Sequence, residues 1–353
     1  MIPEVHPSFK LNGRSLDHNG LMTVAYSYVK EGEMYEKQVG DFLLNWMDDF
    51  SYHTVFSSGS TGKPKEYRLE KEHMINSARM TGERFKLPAG SDVLGCLPLS
   101  YVAGKLMMVR AIELGWHIDL VMPSRNPLEK ATKRYDFTAL TAYQVKHSLD
   151  HLYKSRKTII GGGPVDEALV ESLNGRHTRA YHTYGMTETS THVGIRELYP
   201  KYEEFFTALP GIKVRLNGAD CLIVDAPDLI NEPVVSNDLA IVEGEKRFKI
   251  LGRTDNVIIS GGVKIHPENL ENKLSKYIDG RFFISSEPEK DLGQQVVLYV
   301  EGGEVELESA FAKAKLDRFE KPRRIIFVPQ FAETHTAKVD RKVIISKYKK
   351  KTA

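Results

Sequence analysis

The chain has 353 residues, with 49 Lys and Arg against 47 Asp and Glu. The resulting charge of +2 is too balanced for a protein that mainly neutralises a nucleic-acid backbone, so no nucleic-acid partner is expected. Two cysteines, Cys96 and Cys221, exclude a disulfide scaffold or a Cys-based zinc or iron–sulfur site confined to this chain, and they fit a reducing cytoplasm.

At about 100–200 residues per domain the length suits two domains. Residues 1–20 mix Glu4, His6, Lys10, Arg14 and Asp17 among apolar residues, so no secretion signal is read there. From His53 to about Tyr184 short apolar runs alternate with helix-like segments, the pattern of strands joined by crossover helices, which predicts an α/β fold. Residues 92–99 and 116–122 read as strands around a helix at Val102–Leu114. The apolar stretch 106–122 is interrupted by Arg110, Glu113, His117 and Asp119, so no membrane span is expected. A helix over 139–153, a strand at 158–160, a glycine turn at 161–164 and a helix over 165–173 follow. The polar segment 252–256 reads as a domain boundary. Beyond it, strands at 282–285 and 295–300, a helix over 307–319 and a strand at Arg324–Val328 predict a smaller α+β unit. The basic end, 347–351, reads as a solvated tail.

The first chemically informative stretch is Ser57-Ser58-Gly59-Ser60-Thr61-Gly62-Lys63-Pro64-Lys65, placed after the apolar pair Val55-Phe56. Hydroxyls, glycines and lysines at a strand end suit phosphate, because glycine admits close backbone approach while N–H groups and ammonium charge offset the anion. It is not a Walker A loop: two residues rather than four separate Gly59 from Gly62, and Pro64 follows Lys63. Further on stand Gly161-Gly162-Gly163-Pro164, Tyr184-Gly185-Met186-Thr187-Glu188-Thr189, Ser236-Asn237-Asp238-Leu239, Gly252-Arg253-Thr254-Asp255, Val257 to Ile265 with Gly261-Gly262, and Thr336-Ala337-Lys338-Val339-Asp340-Arg341-Lys342. An aromatic ring, a hydroxyl and a carboxylate within five residues, as in Tyr184, Thr187 and Glu188, can cover a base, donate to a phosphate and hold Mg²⁺.

In this order, over roughly residues 53–342, these segments resemble the adenylate-forming superfamily of acyl-CoA synthetases, nonribosomal adenylation domains and firefly luciferase. The resemblance implies a large domain of β-sheets flanked by helices (1–252), a hinge (253–256) and a small mobile α+β domain (257–353). It implies ATP, Mg²⁺ and CoA as cofactor and co-substrates. Ser57, Ser58, Gly59, Ser60, Thr61, Gly62 and Lys63 would hold phosphates, and Gly161, Gly162 and Gly163 would lie against the adenine. Tyr184 would cover the base, Thr187 would donate to the α-phosphate, and Glu188 would hold the metal. Asp238 would accept from the ribose hydroxyls in a turn where Asn237 replaces a glycine. Arg253 would reach ribose or phosphate, Asp255 would be the pivot, and Gly262 would pass the pantetheine arm. Lys338 matches the catalytic lysine, with Lys342 a nearby alternative.

Within that family, Leu97-Pro98-Leu99-Ser100-Tyr101-Val102-Ala103-Gly104 resembles the segment bordering the acyl pocket, with Tyr101 in the usual His place. Leu140-Thr141-Ala142-Tyr143-Gln144 and Asp291-Leu292-Gly293-Gln294 resemble segments of the o-succinylbenzoate–CoA ligases of menaquinone biosynthesis. That resemblance implies a second substrate carboxylate, for which His192 and Arg196 are the nearest candidate donors. The open alternatives are another small aryl or keto acid and a nucleotide-binding relative without catalysis. The segment ahead of Ser57 is shorter than in most relatives. About 56 residues are therefore expected to replace a subdomain that often carries part of a dimer surface, which leaves a homodimer open.

Overall fold

The structure is a computed structural model, and it describes residues 3–56, 65–333 and 339–348. Its main element is a mixed sheet of 13 strands. Five neighbours run parallel: His117–Leu120, Asp92–Gly95, Tyr135–Thr141, Ser155–Gly161 and Arg179–Gly185. Their inner residues, such as Val93, Leu94, Phe137, Leu140, Ile159 and Ile160, are buried, as parallel strands covered on both faces require. From Arg179–Gly185 the sheet continues antiparallel through His192–Tyr199, Phe206–Ala208, Arg247–Arg253, Val234–Glu243, Cys221–Asp225 and Lys213–Leu216. This half turns one face to water; Val235 and Ile241 are exposed.

The amino-terminal segment takes two roles. Lys10–Leu11 adds a parallel edge strand against His117–Leu120 and pairs back with Arg14–Ser15. Helices α1 (His18–Glu31) and α2 (Met34–Trp46) then send Leu21, Ala25, Val39, Phe42, Leu43 and Trp46 into the main core. Asp17 caps α1 by accepting from Gly20 N, and Glu33 and Glu36 form a capping box at α2. The two helices approach closely at Gly40, where a Cβ would stand 2.6 Å from the Ala25 carbonyl. The hairpin Tyr52–Phe56 with Glu66–Glu70 comes next.

Helix α3 (Lys71–Phe85) precedes α4 (Val102–Leu114), in which every residue from 106 to 112 is buried, Arg110 included. The helix expected over 139–153 is divided. Residues 139–141 finish a strand, and the capping box of Thr141 with Gln144 starts α5 (Ala142–His147). Ser148 then leaves helical geometry, and a 3-10 turn follows at Leu149–Lys154. Helix α6 (Glu167–Ser172) comes after the glycine turn, with Asp166 as its side-chain cap.

After the 3-10 turn Thr254–Asn256, a second sheet pairs Val263–Ile265, Ile258–Ser260, Gly293–Glu301 and Phe282–Glu289, with Arg324–Val328 parallel to Gly293–Glu301. Its two faces carry separate cores. Ile258, Ile284 and Leu298 pack with Leu270 and Leu274 of α7 (Pro267–Leu274) and Phe311 of α8 (Glu308–Lys313). Phe283, Val297, Tyr299 and Ile326 pack with Ile344 of α9 (Arg341–Tyr348). The helix expected over 307–319 ends early, and Lys315 just beyond it takes a left-handed conformation with φ of 50°. Among the described residues no helix is long and apolar enough to cross a membrane.

Candidate active site

The strand Arg179–Gly185 delivers Tyr184 at its carboxyl end, the side of a parallel sheet where ligands bind. The Tyr184 hydroxyl donates to Asp238 Oδ2 at 2.6 Å, and its ring packs against Phe206 and Phe248. Arg253 donates to Asp238 Oδ1 at 3.5 Å and to Asp255 Oδ2 at 3.0 Å. Asp238 and Arg253 meet because they are register partners on neighbouring strands. The turn expected at 236–239 is corrected here: these residues lie inside the strand Val234–Glu243. An irregularity between Leu239 and Ala240 shifts the register there, and Asn237 is not among the residues of positive φ. Burial and then the Asp238 carboxylate hold the Tyr184 hydroxyl well above the usual phenol range, so it stays a donor.

Beside Tyr184 runs the turn Gly161-Gly162-Gly163. Gly162 has φ of 81°, and a Cβ at Gly162 or Gly163 would meet nothing within 4 Å, so the backbone is open to a flat ligand. His182 braces this turn. Its Nδ1 accepts from Arg196 Nε at 3.2 Å, which leaves Nε2 to donate to the Gly163 carbonyl at 3.0 Å. Burial and then Arg196 push the imidazole down to about 3, so it is neutral. Arg196 also donates to the Glu204 carbonyl at 3.0 Å and lies over the Phe206 ring. The structure therefore engages Arg196 as a brace of the turn.

Thr187 and Glu188 sit on a single 3-10 turn tied by Thr189, whose hydroxyl accepts from Met186 N at 3.1 Å and donates to the Thr191 carbonyl at 2.8 Å. Glu188 is exposed, and its Oε1 accepts from the Tyr67 hydroxyl at 2.7 Å across 121 residues of sequence. Tyr67 was not legible as a site residue. It stands on the strand Glu66–Glu70, and burial together with Glu188 raises its hydroxyl to about 12. Ser57, Ser58, Gly59, Ser60, Thr61, Gly62 and Lys63 lie outside the described residues, as does Lys338. No cluster of three or more metal-ligating side chains occurs among the described residues. A single exposed carboxylate at Glu188 fits Mg²⁺, which is commonly held by one or two carboxylates with substrate phosphates completing the shell.

A second cation escaped the sequence reading. Arg110 of α4 is 3% exposed, donates to Thr81 Oγ1 at 3.1 Å and Thr191 Oγ1 at 3.4 Å, and approaches His192 Nδ1 at 3.3 Å. Among the described residues no carboxylate pairs with it, and burial alone lowers it to about 10. His192 is neutral, driven down by burial and then by Arg110. With Nδ1 facing the guanidinium, its Nε2 carries the proton, and that atom is buried with no partner among the described residues. The available signal was one arginine inside the apolar run 106–112 of that helix. Tyr101 precedes α4, donating its backbone N–H to the Pro98 carbonyl at 3.2 Å.

Arg253 and Asp255 lie where the two sheets join, with Asn237 donating to Asp255 Oδ2 at 3.4 Å. Gly261 and Gly262 form a two-residue hairpin turn with φ of 56° and 81°, a geometry that side chains on both residues would strain. Either side of the Lys338 segment is anchored: Glu333 pairs with Val339, and Arg341 grips Glu271 with both terminal nitrogens, at 2.8 and 2.9 Å. Lys342 is exposed on α9.

Residues 40–234 match the family described as AMP-binding enzyme. A 2-succinylbenzoate–CoA ligase of Bacillus cytotoxicus is 26% identical over 334 residues, covering 82% of this chain and 68% of that one. The crystal structure of an AMP-forming acyl-CoA synthetase/AMP-acid ligase II-like protein from Dyadobacter fermentans is 32% identical, covering 92% of this chain and 98% of that one at a TM-score of 0.61. The o-succinylbenzoate CoA synthetase of Bacillus subtilis, in complex with its acyl-adenylate intermediate, shares the fold at 18% identity and a TM-score of 0.73, over 82% of this chain and 68% of that one. The motif order, the Tyr184–Asp238–Arg253 grouping and these likenesses converge: the chain belongs to the AMP-binding enzyme family.

Proposed function

We propose that the protein is an ATP-dependent, AMP-forming acid–CoA ligase of the cytoplasm that converts o-succinylbenzoate to its CoA thioester in menaquinone biosynthesis. The acid's carboxylate attacks the α-phosphorus of ATP, the bond to the β-phosphate breaks, and pyrophosphate leaves. The CoA thiolate then attacks the acyl carbonyl and AMP departs. Tyr184 and the turn 161–163 hold the base, Asp238 and Arg253 the ribose, and Thr187 the α-phosphate. Glu188, oriented by Tyr67, would hold Mg²⁺, which offsets phosphate charge when bound. Lys338 stabilises the charge that builds at the α-phosphate. Residues 253–256 are the hinge between a large domain (1–252) and a small one (257–353), which presents Lys338 for the first step and Gly262 for the second.

Arg110 carries the choice of acid. A buried guanidinium that, among the described residues, is held by two threonine hydroxyls and an imidazole has the desolvation cost of an ion pair without its counter-ion. A substrate with a carboxylate beyond the reacting one supplies that counter-ion, and His192 Nε2 offers a further unpaired donor. This reading moves the distal carboxylate from Arg196, whose donors are engaged, to Arg110 with His192. The test is pyrophosphate release with o-succinylbenzoate, benzoate and simple keto acids, followed by mass detection of the acyl-CoA. We expect o-succinylbenzoate to be preferred and Arg110→Met to raise its KM about 10- to 100-fold, the value of one or two charge-assisted hydrogen bonds. Equal use of benzoate, or an unchanged KM in the variant, overturns the substrate assignment. Silence with every acid overturns the catalytic one.

A further inference from the structure

The two sheets are joined by the hinge and also by a side contact between α6 and α7. Asn272 accepts from the Glu167 backbone N–H at 2.9 Å and donates to Glu167 Oε1 at 3.1 Å, across 105 residues of sequence. Lys276, just past the end of α7, reaches Glu167 Oε2 at 2.9 Å and Glu171 Oε1 at 2.6 Å. Each side is firmly mounted. The α6 cap, Asp166, is held by Lys146 at 2.7 Å, and Leu169 is buried. On the other side, α7 is anchored by fully buried Leu270 and Leu274 and by the Glu271 pair with Arg341.

We propose that Glu167, Glu171, Asn272 and Lys276 form a releasable clamp that holds the small domain in one orientation beside the turn 161–164, and that its release sets the balance between adenylate formation and thioester formation. The second clause rests on the ligase reading; the first does not. These ion pairs are partly exposed, from 30% at Lys276 to 59% at Glu171, so each is weak and together they bias an orientation without locking it. The hinge opposes the same orientation. Glu268 Oε1 accepts from Asn256 at 2.6 Å, but its Oε2 is buried with no partner among the described residues, as is His266 Nδ1 nearby. Orphaned polar atoms on one side and a salt-sensitive clamp on the other leave the orientation near balance, as a part that must swing in each cycle requires.

The test places dyes at Tyr153→Cys and Val305→Cys, both exposed and on different domains, while Cys96 and Cys221 are buried. Distance distributions are recorded for the otherwise unmodified protein, for Lys276→Glu, and for Lys276→Glu with Glu167→Lys and Glu171→Lys, in low and high salt. We expect Lys276→Glu to reduce the clamped fraction about fivefold, high salt to reduce it in the unmodified protein, and the charge swap to restore it. In the same proteins, pyrophosphate exchange and CoA capture of preformed adenylate should change in opposite directions. Distances unmoved by both Lys276→Glu and salt overturn the clamp whether or not any acid is activated. Distances that move while both half-reactions change together overturn its role in the cycle. If Lys276→Glu fails to fold, Asn272→Ala and the salt titration decide in its place.

Discussion

Two largely buried charges, one under each sheet, are treated in opposite ways. Beside the five-stranded sheet Glu271 is matched: both terminal nitrogens of Arg341 grip it, and its carboxylate also accepts from Ile284 N at 2.8 Å. Beside the 13-stranded sheet Arg110 has hydroxyls and an imidazole around it and no anion among the described residues. A charge with its counter-ion in place serves the fold, whereas a charge lacking one is tolerated for what it meets later. On the proposed function, the difference marks one core as finished by folding and the other as finished by substrate.

Four outcomes break or sharpen that contrast. The largest concerns Arg110→Met, which should lose activity as stated above and yet raise the thermal midpoint of the ligand-free protein, because an uncompensated buried charge is removed. A lower midpoint would mean that Arg110 is structural after all. Arg341→Met should act in the reverse sense and lower stability by about 2 kcal/mol, by leaving Glu271 unpaired. Urea denaturation followed by far-UV circular dichroism measures it, and an unchanged midpoint would remove the distinction between the two sites.

Acid should weaken the core around the 13-stranded sheet first. His53 and His182 are held at about 3, and His192 well below its ordinary value, chiefly by burial. Below about pH 6.5 the unfolded chain takes up protons that these folded imidazoles refuse, so stability falls as pH falls, by about 1.4 kcal/mol per pH unit for each histidine that stays neutral. The only two tryptophans, Trp46 and Trp116, are buried in that core and report on it alone. Equal urea midpoints by tryptophan fluorescence at pH 7.5 and 5.5 would contradict this account. The smallest effect is at Tyr67→Phe. Losing one hydrogen bond to Glu188 should reduce adenylate formation about threefold to tenfold and raise the Mg²⁺ concentration needed, while CoA capture of preformed adenylate stays unchanged.

Much of the fold was legible. The helix Val102–Leu114 and the strand Arg324–Val328 have the bounds expected from their residues, because apolar period and flanking breakers are local properties. The helix over 139–153 was misread at Ala139-Leu140-Thr141, a short apolar run whose strand identity depends on a parallel neighbour at Ile159–Gly161. The turn around Asp238 was misread for a similar reason, since its pairing with Arg253 and the nearby register shift are set across strands. The two amino-terminal helices were not anticipated, although their caps, Asp17 and the Glu33–Glu36 box, were present to be read.

By itself, the order of residues determined the family and the chemistry, because motifs such as Gly161 to Pro164 and Tyr184 to Thr189 are short stretches whose backbone geometry and side-chain types are fixed locally. Tertiary structure decided which charges have partners. Tyr67 meets Glu188 from 121 residues away, Tyr184 meets Asp238 from 54, and Arg110 meets His192 from 82. No spacing rule reaches so far along a chain. Such contacts follow from strand register and helix packing, and it is the packing around α4 that leaves one arginine buried without a counter-ion among the described residues.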